Sequence, residues 1–251
     1  MPVDPTVTAD DHALAAQLAT EAGELLVELR AKAESWPGWR LGDLGDWEAH
    51  KLLVARLAEL RPDDAVLSEE GREDPARLVA PRVWIVDPLD GTREFGEVPR
   101  VDWAVHVALV VGGVAAAGAV ALPAQGITLA SQPAPVLPPR PEGPPRMVVS
   151  RSRPAEETRI IAAALRADVQ PLGSAGAKAM AVVRGDADIY AHAGGQYEWD
   201  SAAPAAVAMA AGLHASRLDG SPLVYNQPDP YLPDLLICRA ELADPILAAL
   251  R

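Results

Sequence analysis

From Trp103 to Leu122 the chain reads WAVHVALVVGGVAAAGAVAL, an apolar run whose only ionisable side chain is His106. A run of that length can span a bilayer or disappear into a protein core. The interruptions decide between the two. Gly112 and Gly113 sit together near its middle, Gly118 and His106 break it again, and valine dominates the flanks. Two buried strands meeting in a Gly112-Gly113 turn account for all of these, so the run predicts a core hairpin and no membrane span.

The rest of the chain fits a folded protein around that hairpin. Its 251 residues are 49% hydrophobic and 23% charged, enough for one sizeable core or two modest ones. The formal net charge of −13, with no basic stripe, excludes a general nucleic-acid-polymer binder and means that an anionic substrate needs local help from metal or arginine. Cys238 is the only cysteine, which excludes an intramolecular disulfide and a four-cysteine zinc site. A reducing, cytoplasmic compartment is expected, since the start MPVDPTVTADDHALAA lacks the basic and apolar regions of a secretory signal.

Thr8 and Asp11 approximate a capping box, and Leu14, Leu18, Leu25 and Leu29 follow as one stripe, which predicts a helix over about 9–30. AESWPGWRLGDLGD, 33–46, reads as a loop. A second helix is expected from about Asp46 to before Pro62, and a short strand at 65–67 delivers Ser68, Glu69 and Glu70. A strand over 83–86 precedes the hairpin, with further strand character at 127–130. QPAPVLPPRPEGPP, 132–145, is too rich in proline for helix or central strand and reads as a surface crossing between two lobes. The expected division is therefore 1–131, a crossing at 132–146, and 147–251. Beyond the crossing, strands are expected at 147–149, 188–191 and in LLICRA, and helices at 154–165, 177–183, 200–212 and around 246–250. Asp200 stands where the turn GGQYEW meets an alanine-rich helix. Alternating helices and strand pairs predict a layered α/β or α+β protein. No GxGxxG turn or GxxxxGK[ST] loop is present for nucleotide binding by those routes.

Carboxylates gather at the expected element ends: Glu69, Glu70, Asp87, Asp90 and Asp200. Hard oxygen donors without a histidine cluster suit Mg²⁺ or Mn²⁺ better than zinc or iron. In WIVDPLDGTREF, Asp87 ends the strand, and the Pro88-Leu89 corner can turn the Leu89 carbonyl and Asp90 toward one cation. Gly91 and Thr92 then offer backbone N–H groups, and a hydroxyl, to a phosphate at a helix start. Each piece also has a plainer reading. DPLDGT alone is equally an Asx turn with a helix cap, Glu69-Glu70 alone a solvated turn, and Asp200 alone an N-cap. His106 reads as a satisfied strand histidine and Cys238 as a buried small hydrophobe. His192 and Tyr197, flanking the glycines before Asp200, are candidates for a substrate wall.

SEE at 68–70, WIVDPLDGT at 84–92 and WDSAAPAAV at 199–207 resemble the three signatures of the inositol monophosphatase-like, lithium-sensitive, magnesium-dependent phosphatases. LSEE, GSAGAKAMAV, HAGGQYEWDSAAPA and the C-terminal HASRLDGSPLVYNQPDPYLPDLLICRAE are similar to the actinobacterial CysQ-type branch, the 3'(2'),5'-bisphosphate nucleotidases of sulfate assimilation. The resemblance implies a layered αβαβα sandwich of the inositol monophosphatase and fructose-1,6-bisphosphatase type. It implies two or three Mg²⁺ ions held by Glu70, Asp87, the Leu89 carbonyl, Asp90 and Asp200, with Glu70 and Thr92 orienting the attacking water. Asp46 corresponds to the acidic residue that pairs with the threonine or supports an additional metal, although RLGDLGD lacks the threonine usual in that early loop. Gly173, Ser174, Lys178, His192, Gln196 and Tyr197, together with Asp90, Gly91, Thr92 and Asp200, are the expected substrate surroundings. The implied reaction removes the 3'-phosphate of 3'-phosphoadenosine 5'-phosphate to give AMP. Inositol monophosphate, fructose 1,6-bisphosphate and histidinol phosphate are alternative substrates, and a non-catalytic anion-binding protein is the alternative of another class. A homodimer is compatible with such a fold.

Overall fold

The computed structural model describes residues 7–32 and 36–251. Its first half runs α1 (Ala9–Lys32), α2 (Gly38–Leu60), β1 (Ala65–Ser68), β2 (Arg82–Asp90), α3 (Thr92–Gly96), β3 (Ala104–Val111), β4 (Val114–Leu122) and β5 (Ile127–Ala130). These strands form one sheet in the order β1-β2-β3-β4-β5, parallel only between β1 and β2. The second half runs β6 (Arg146–Ser150), α4 (Glu156–Leu165), β7 (Asp168–Leu172), α5 (Ala175–Val183), β8 (Ile189–Tyr197), α6 (Glu198–Ala210), β9 (His214–Ser216), β10 (Tyr231–Cys238) and α7 (Ala240–Ala249). Its sheet has the order β7-β6-β8-β10-β9. Helices α1 and α2 cover the outer face of the first sheet, α5 and α6 lie between the sheets, and α4 and α7 cover the second. This is the layered αβαβα arrangement that the resemblance implies.

Strand periodicity sorts side chains between these layers. Along β2, Val83 and Ile85 enter the central core between the sheets, while Trp84 and Val86 enter the core beneath α1 and α2. The apolar run is the β3–β4 hairpin, with Val111 paired to Val114 across Gly112 (φ 58°) and Gly113 (φ 80°). Two successive left-handed residues match the twist of a two-residue hairpin turn, and glycine adopts them without steric cost. Among the described residues no helix is long and apolar enough to cross a membrane. Gly118 admits the central helix: a Cβ there would stand 2.9 Å from Ala206 Cβ and 3.1 Å from the Ala203 carbonyl.

Three local expectations need correction. The 33–46 segment is not a loop from Gly38 onward but the first part of α2; residues 33–35 lie outside the described residues. Gly38, Gly42 and Gly45, which argued against helix, share a face packed on α3 and its approach. Cβ atoms there would stand 2.7 Å from Gly96 O, 2.6 Å from Thr92 Cγ2 and 2.8 Å from both Leu89 Cδ2 and Phe95 Cε1. Tertiary packing thus overrides helix propensity. Along α1, the buried stripe is Leu14, Leu18, Ala22 and Leu26, with Leu25 and Leu29 on its half-buried flank. GGQYEW is not a turn, because β8 continues through it to Tyr197. Ala193 pairs with Asp234 and Gln196 with Leu232, so Gly194 and Gly195 oppose the single Pro233 as a bulge. The strands β7 and β9 had no counterpart in the pattern reading; β7 is an exposed edge interrupted by Pro171, and β9 has three residues.

Candidate active site

Asp87 and Asp90 are three residues apart and, in a regular strand, would project to opposite faces. A bulge removes the conflict. Asp87 pairs with His106 and Asp90 with Ala104, so Pro88 and Leu89 oppose Val105 alone. The extra residue returns Asp90 to the face of Asp87, while Leu89 turns its side chain into the core under α1 and α2. The corner is braced where Leu89 N donates to Asp87 Oδ1 at 3.1 Å. The Asx turn and the clustering of carboxylates are therefore the same structure.

Asp200 arrives from the other half of the chain. It lies in the first turn of α6, where its Oδ2 accepts the Tyr197 N–H at 2.8 Å. Ligand-type oxygens of Asp87, Asp90 and Asp200 all lie within 4.8 Å of one another. Asp90 is compensated by its surroundings. Its Oδ2 accepts from Ser174 Oγ at 2.5 Å and Gly176 N at 2.6 Å, and its Oδ1 from Ala175 N at 3.0 Å. Buried His106 stands 3.1 Å away at Nε2, while its Nδ1 is 2.9 Å from Trp199 O. Gly176 makes room, since a Cβ there would fall 2.1 Å from that Nε2. Burial by itself would raise Asp90, but His106, Lys178 and Ser174 outweigh it and hold the carboxyl below its ordinary range.

The other carboxylates are less fully compensated. Burial, then Glu69, Asp90 and Asp200, pushes Asp87 well upward. Burial and Asp90 push Asp200 to about 6. Glu69 lies at the surface, yet desolvation by its surroundings and then repulsion from Asp200 push it to about 8, against a hydrogen bond with Asp87 that lowers it. Uncompensated negative charge converging on one point is the electrostatic signature of a cation site. The cluster of Asp87, Asp90 and Asp200 fits a divalent cation that prefers oxygen.

Beside the cluster, Thr92 Oγ1 lies 3.1 Å from Asp46 Oδ1 and 3.2 Å from Leu89 O. Gly91, at φ 90°, caps α3 and turns the chain from the bulge into Thr92. Burial, Glu70 and Asp43 raise Asp46 to about 7. The exposed Glu70 thus acts on Asp46 and on His50, which bonds Ser68, whereas Glu69 faces the aspartates.

A cleft of about 270 Å³ opens over Asp90, Gly91, Thr92 and Asp200. Gly173, Ser174, Lys178, His192 and Gln196 line it as well. Tyr197 does not line it; its ring stacks on Trp199, with centroids 4.9 Å apart and planes 9° from parallel. The buried Lys178 ammonium donates to Gly173 O at 2.9 Å and Ser174 O at 2.5 Å, so it fixes the loop before α5. Burial lowers it to about 8, against the pull of Asp90 and Asp200. Sequence reasoning gave His106 a structural role, counted Glu69 only among the gathered carboxylates, and did not single out the arginines of RSR at 151–153, which line the cleft. A positive run directly after β6 in so acidic a chain was the available signal for the last of these.

A two-sheet αβαβα protein with a carboxylate cluster where a bulged strand meets a central helix defines a class by fold and site together. Residues 41–137 and 140–250 match the Inositol monophosphatase family, and the chain belongs to that family. The 3'-phosphoadenosine 5'-phosphate phosphatase of Mycobacterium leprae (strain TN) is 53% identical over 253 residues, covering 96% of this chain and 93% of that protein. The 3'(2'),5'-bisphosphate nucleotidase CysQ of Escherichia coli (strain K12) is 30% identical, covering 86% and 94%. The crystal structure of CysQ from Bacteroides thetaiotaomicron superposes with a TM-score of 0.76 at 27% identity, covering 90% of this chain and 96% of that one.

Proposed function

We propose that this chain is a Mg²⁺-dependent phosphatase that hydrolyses the 3'-phosphate of 3'-phosphoadenosine 5'-phosphate, yielding AMP and phosphate, within sulfate assimilation. The convergence of Asp87, Asp90 and Asp200, with Asp90 and Asp200 lining the cleft, carries the chemistry. The nucleotide assignment is supported by the relative at 53% identity over almost the whole chain.

Two Mg²⁺ ions, which Mn²⁺ can replace, would be held by Asp87, Asp90, Asp200, the Leu89 carbonyl and Glu69. Glu69 takes the place that the resemblance gave to Glu70, because its carboxyl is the one that meets Asp87 and is repelled by Asp200. When bound, such ions supply an activated water and neutralise charge on the phosphoryl and departing oxygens. The protein's own groups supply orientation. With its hydrogen turned to Asp46 or to the Leu89 carbonyl, Thr92 Oγ1 presents lone pairs that would orient a water. Asp46, raised to about 7, is matched to accept a proton near neutrality through this pair. Gly91 and Thr92 line the cleft, where their backbone would face the phosphate. Gln196, held by its Nε2 to Tyr190 Oη at 2.8 Å, belongs with Gly173, Ser174 and His192 to the wall around the nucleoside.

Phosphate release with Mg²⁺, with and without lithium, tests this across 3'-phosphoadenosine 5'-phosphate, inositol monophosphate, fructose 1,6-bisphosphate and histidinol phosphate. The nucleotide is expected to have the highest kcat/KM. A nucleotide value no better than those of the sugars would overturn the assignment while leaving the metal chemistry standing.

A further inference from the structure

We infer that Arg153 is the anion-binding end of the cleft and selects substrates that carry a second phosphate remote from the one removed. This rests on the bisphosphate-nucleotide reading above. The cleft has an acidic floor at Asp90 and Asp200, and a segment running from Ser150 to Arg153 forms another part of its lining.

The arginines of that segment differ in how far they are neutralised. Arg151 is bound to Glu94 at 2.6 Å and Glu97 at 2.9 Å, so its charge is answered within the protein. Arg153 has no acidic partner among the described residues, in a chain whose formal net charge is −13. Its backbone is fixed, with the N–H donating to Ser150 Oγ at 3.1 Å. Its guanidinium lies against the β8 bulge: a Cβ on Gly195, already at φ 72°, would come 2.9 Å from Arg153 Nη1. The bulge therefore leaves space for this side chain beside the cleft. His192 is close enough to feel Arg153; burial first, then Lys178 and Arg153, keeps its imidazole neutral, with Nε2 2.8 Å from Gly194 O. A planar guanidinium with unused donors, near a neutral imidazole, suits a phosphate. With the reacting phosphate over the carboxylate floor, the second one meets Arg153.

The test compares kcat/KM for 3'-phosphoadenosine 5'-phosphate with that for adenosine 3'-monophosphate in the full chain, in Arg153→Gln and in Arg153→Lys. Loss of a charge-assisted contact is expected to lower this ratio about tenfold or more in Arg153→Gln, chiefly through KM for the bisphosphate, with partial recovery in Arg153→Lys. AMP is expected to inhibit Arg153→Gln more weakly, while inhibition by inorganic phosphate changes less. An unchanged ratio overturns the inference, and so does an equal loss on both substrates, which would mark a role in folding or catalysis. If the wild-type chain proves to prefer sugars, the same ratio taken with fructose 1,6-bisphosphate against fructose 1-phosphate still decides whether Arg153 reads a second phosphate.

Discussion

Glu69 and Glu70 are adjacent and chemically alike, yet the end of β1 sends them to different neighbours. Glu69 shares a hydrogen bond with Asp87, and Glu70 influences Asp46 and His50. Glu69→Gln is therefore expected to lower kcat by roughly 10²-fold or more, with Mg²⁺ affinity falling as well, and Glu70→Gln to cost distinctly less. Steady-state kinetics over a Mg²⁺ titration reads both effects, and a larger defect in Glu70→Gln would return the ligand role to that residue. At this scale the sequence showed the three aspartates, because Asp-Pro-Leu-Asp-Gly at a strand end and Asp at a helix start are local patterns. It did not show His106 as the partner of Asp90. That contact depends on which residue of β3 pairs beside the bulge, and no local pattern records a register.

Among the elements, α2 shows what local propensity misses. Its glycines oppose helix formation by up to about 1 kcal/mol each relative to alanine, yet they let the helix settle onto Thr92, Phe95 and Gly96. One consequence bears on the catalysis proposed above, since Asp46 reaches Thr92 from the turn after Gly42. Gly42→Ala is expected to improve local helix propensity while pressing a methyl group into Thr92 Cγ2, which now stands 2.6 Å from that position. Activity should fall about tenfold, with Mg²⁺ affinity retained and far-ultraviolet circular dichroism unchanged. Activity equal to wild type would show that Thr92 can yield without losing Asp46. The hairpin, by contrast, was legible, because valine-rich flanks and a Gly-Gly pair specify strands and turn without reference to anything distant. The GGQYEW segment was misread because the same residue type marks turns and bulges, and only pairing with β10 separates them.

For the molecule as a whole, charge placement links stability to pH and metal. Asp11, buried near the start of α1, holds Arg61 and Arg82, joining the helix to the end of α2 and to β2. Burial would raise Asp11, but the Arg82 and Thr8 hydrogen bonds, with Arg61, keep it well below the carboxylate range. A depressed carboxyl stabilises the fold above its unfolded value and loses that contribution as pH falls through the folded one. Asp11→Asn is thus expected to cost about 3 kcal/mol at neutral pH, the gap to wild type narrowing below about pH 4. Urea denaturation at several pH values measures it, and a gap independent of pH would refute the linkage.

The active-site carboxylates have the opposite sign. Asp87, Asp200 and Glu69 are raised, the last two to about 6 and 8, so without metal the folded chain binds more protons than the unfolded one. Metal-free stability should then decline as pH rises toward 8, and Mg²⁺, which replaces those protons, should raise Tm more at pH 8 than at pH 6. Equal increments at both pH values, measured against a chelator control, would exclude this coupling.

The sequence by itself determined the apolar hairpin, the alanine-rich central helix, and the presence of aspartates at a strand end and a helix start, since each is written in neighbouring residues. Only the tertiary structure decided that the bulge turns Asp87 and Asp90 to one side, that α6 brings Asp200 to them from the second half, and that the 151–153 segment comes to line the same cleft. The physical reason is that backbone preferences act over a few residues, whereas a charge cluster is assembled by packing two sheets around a shared helix layer.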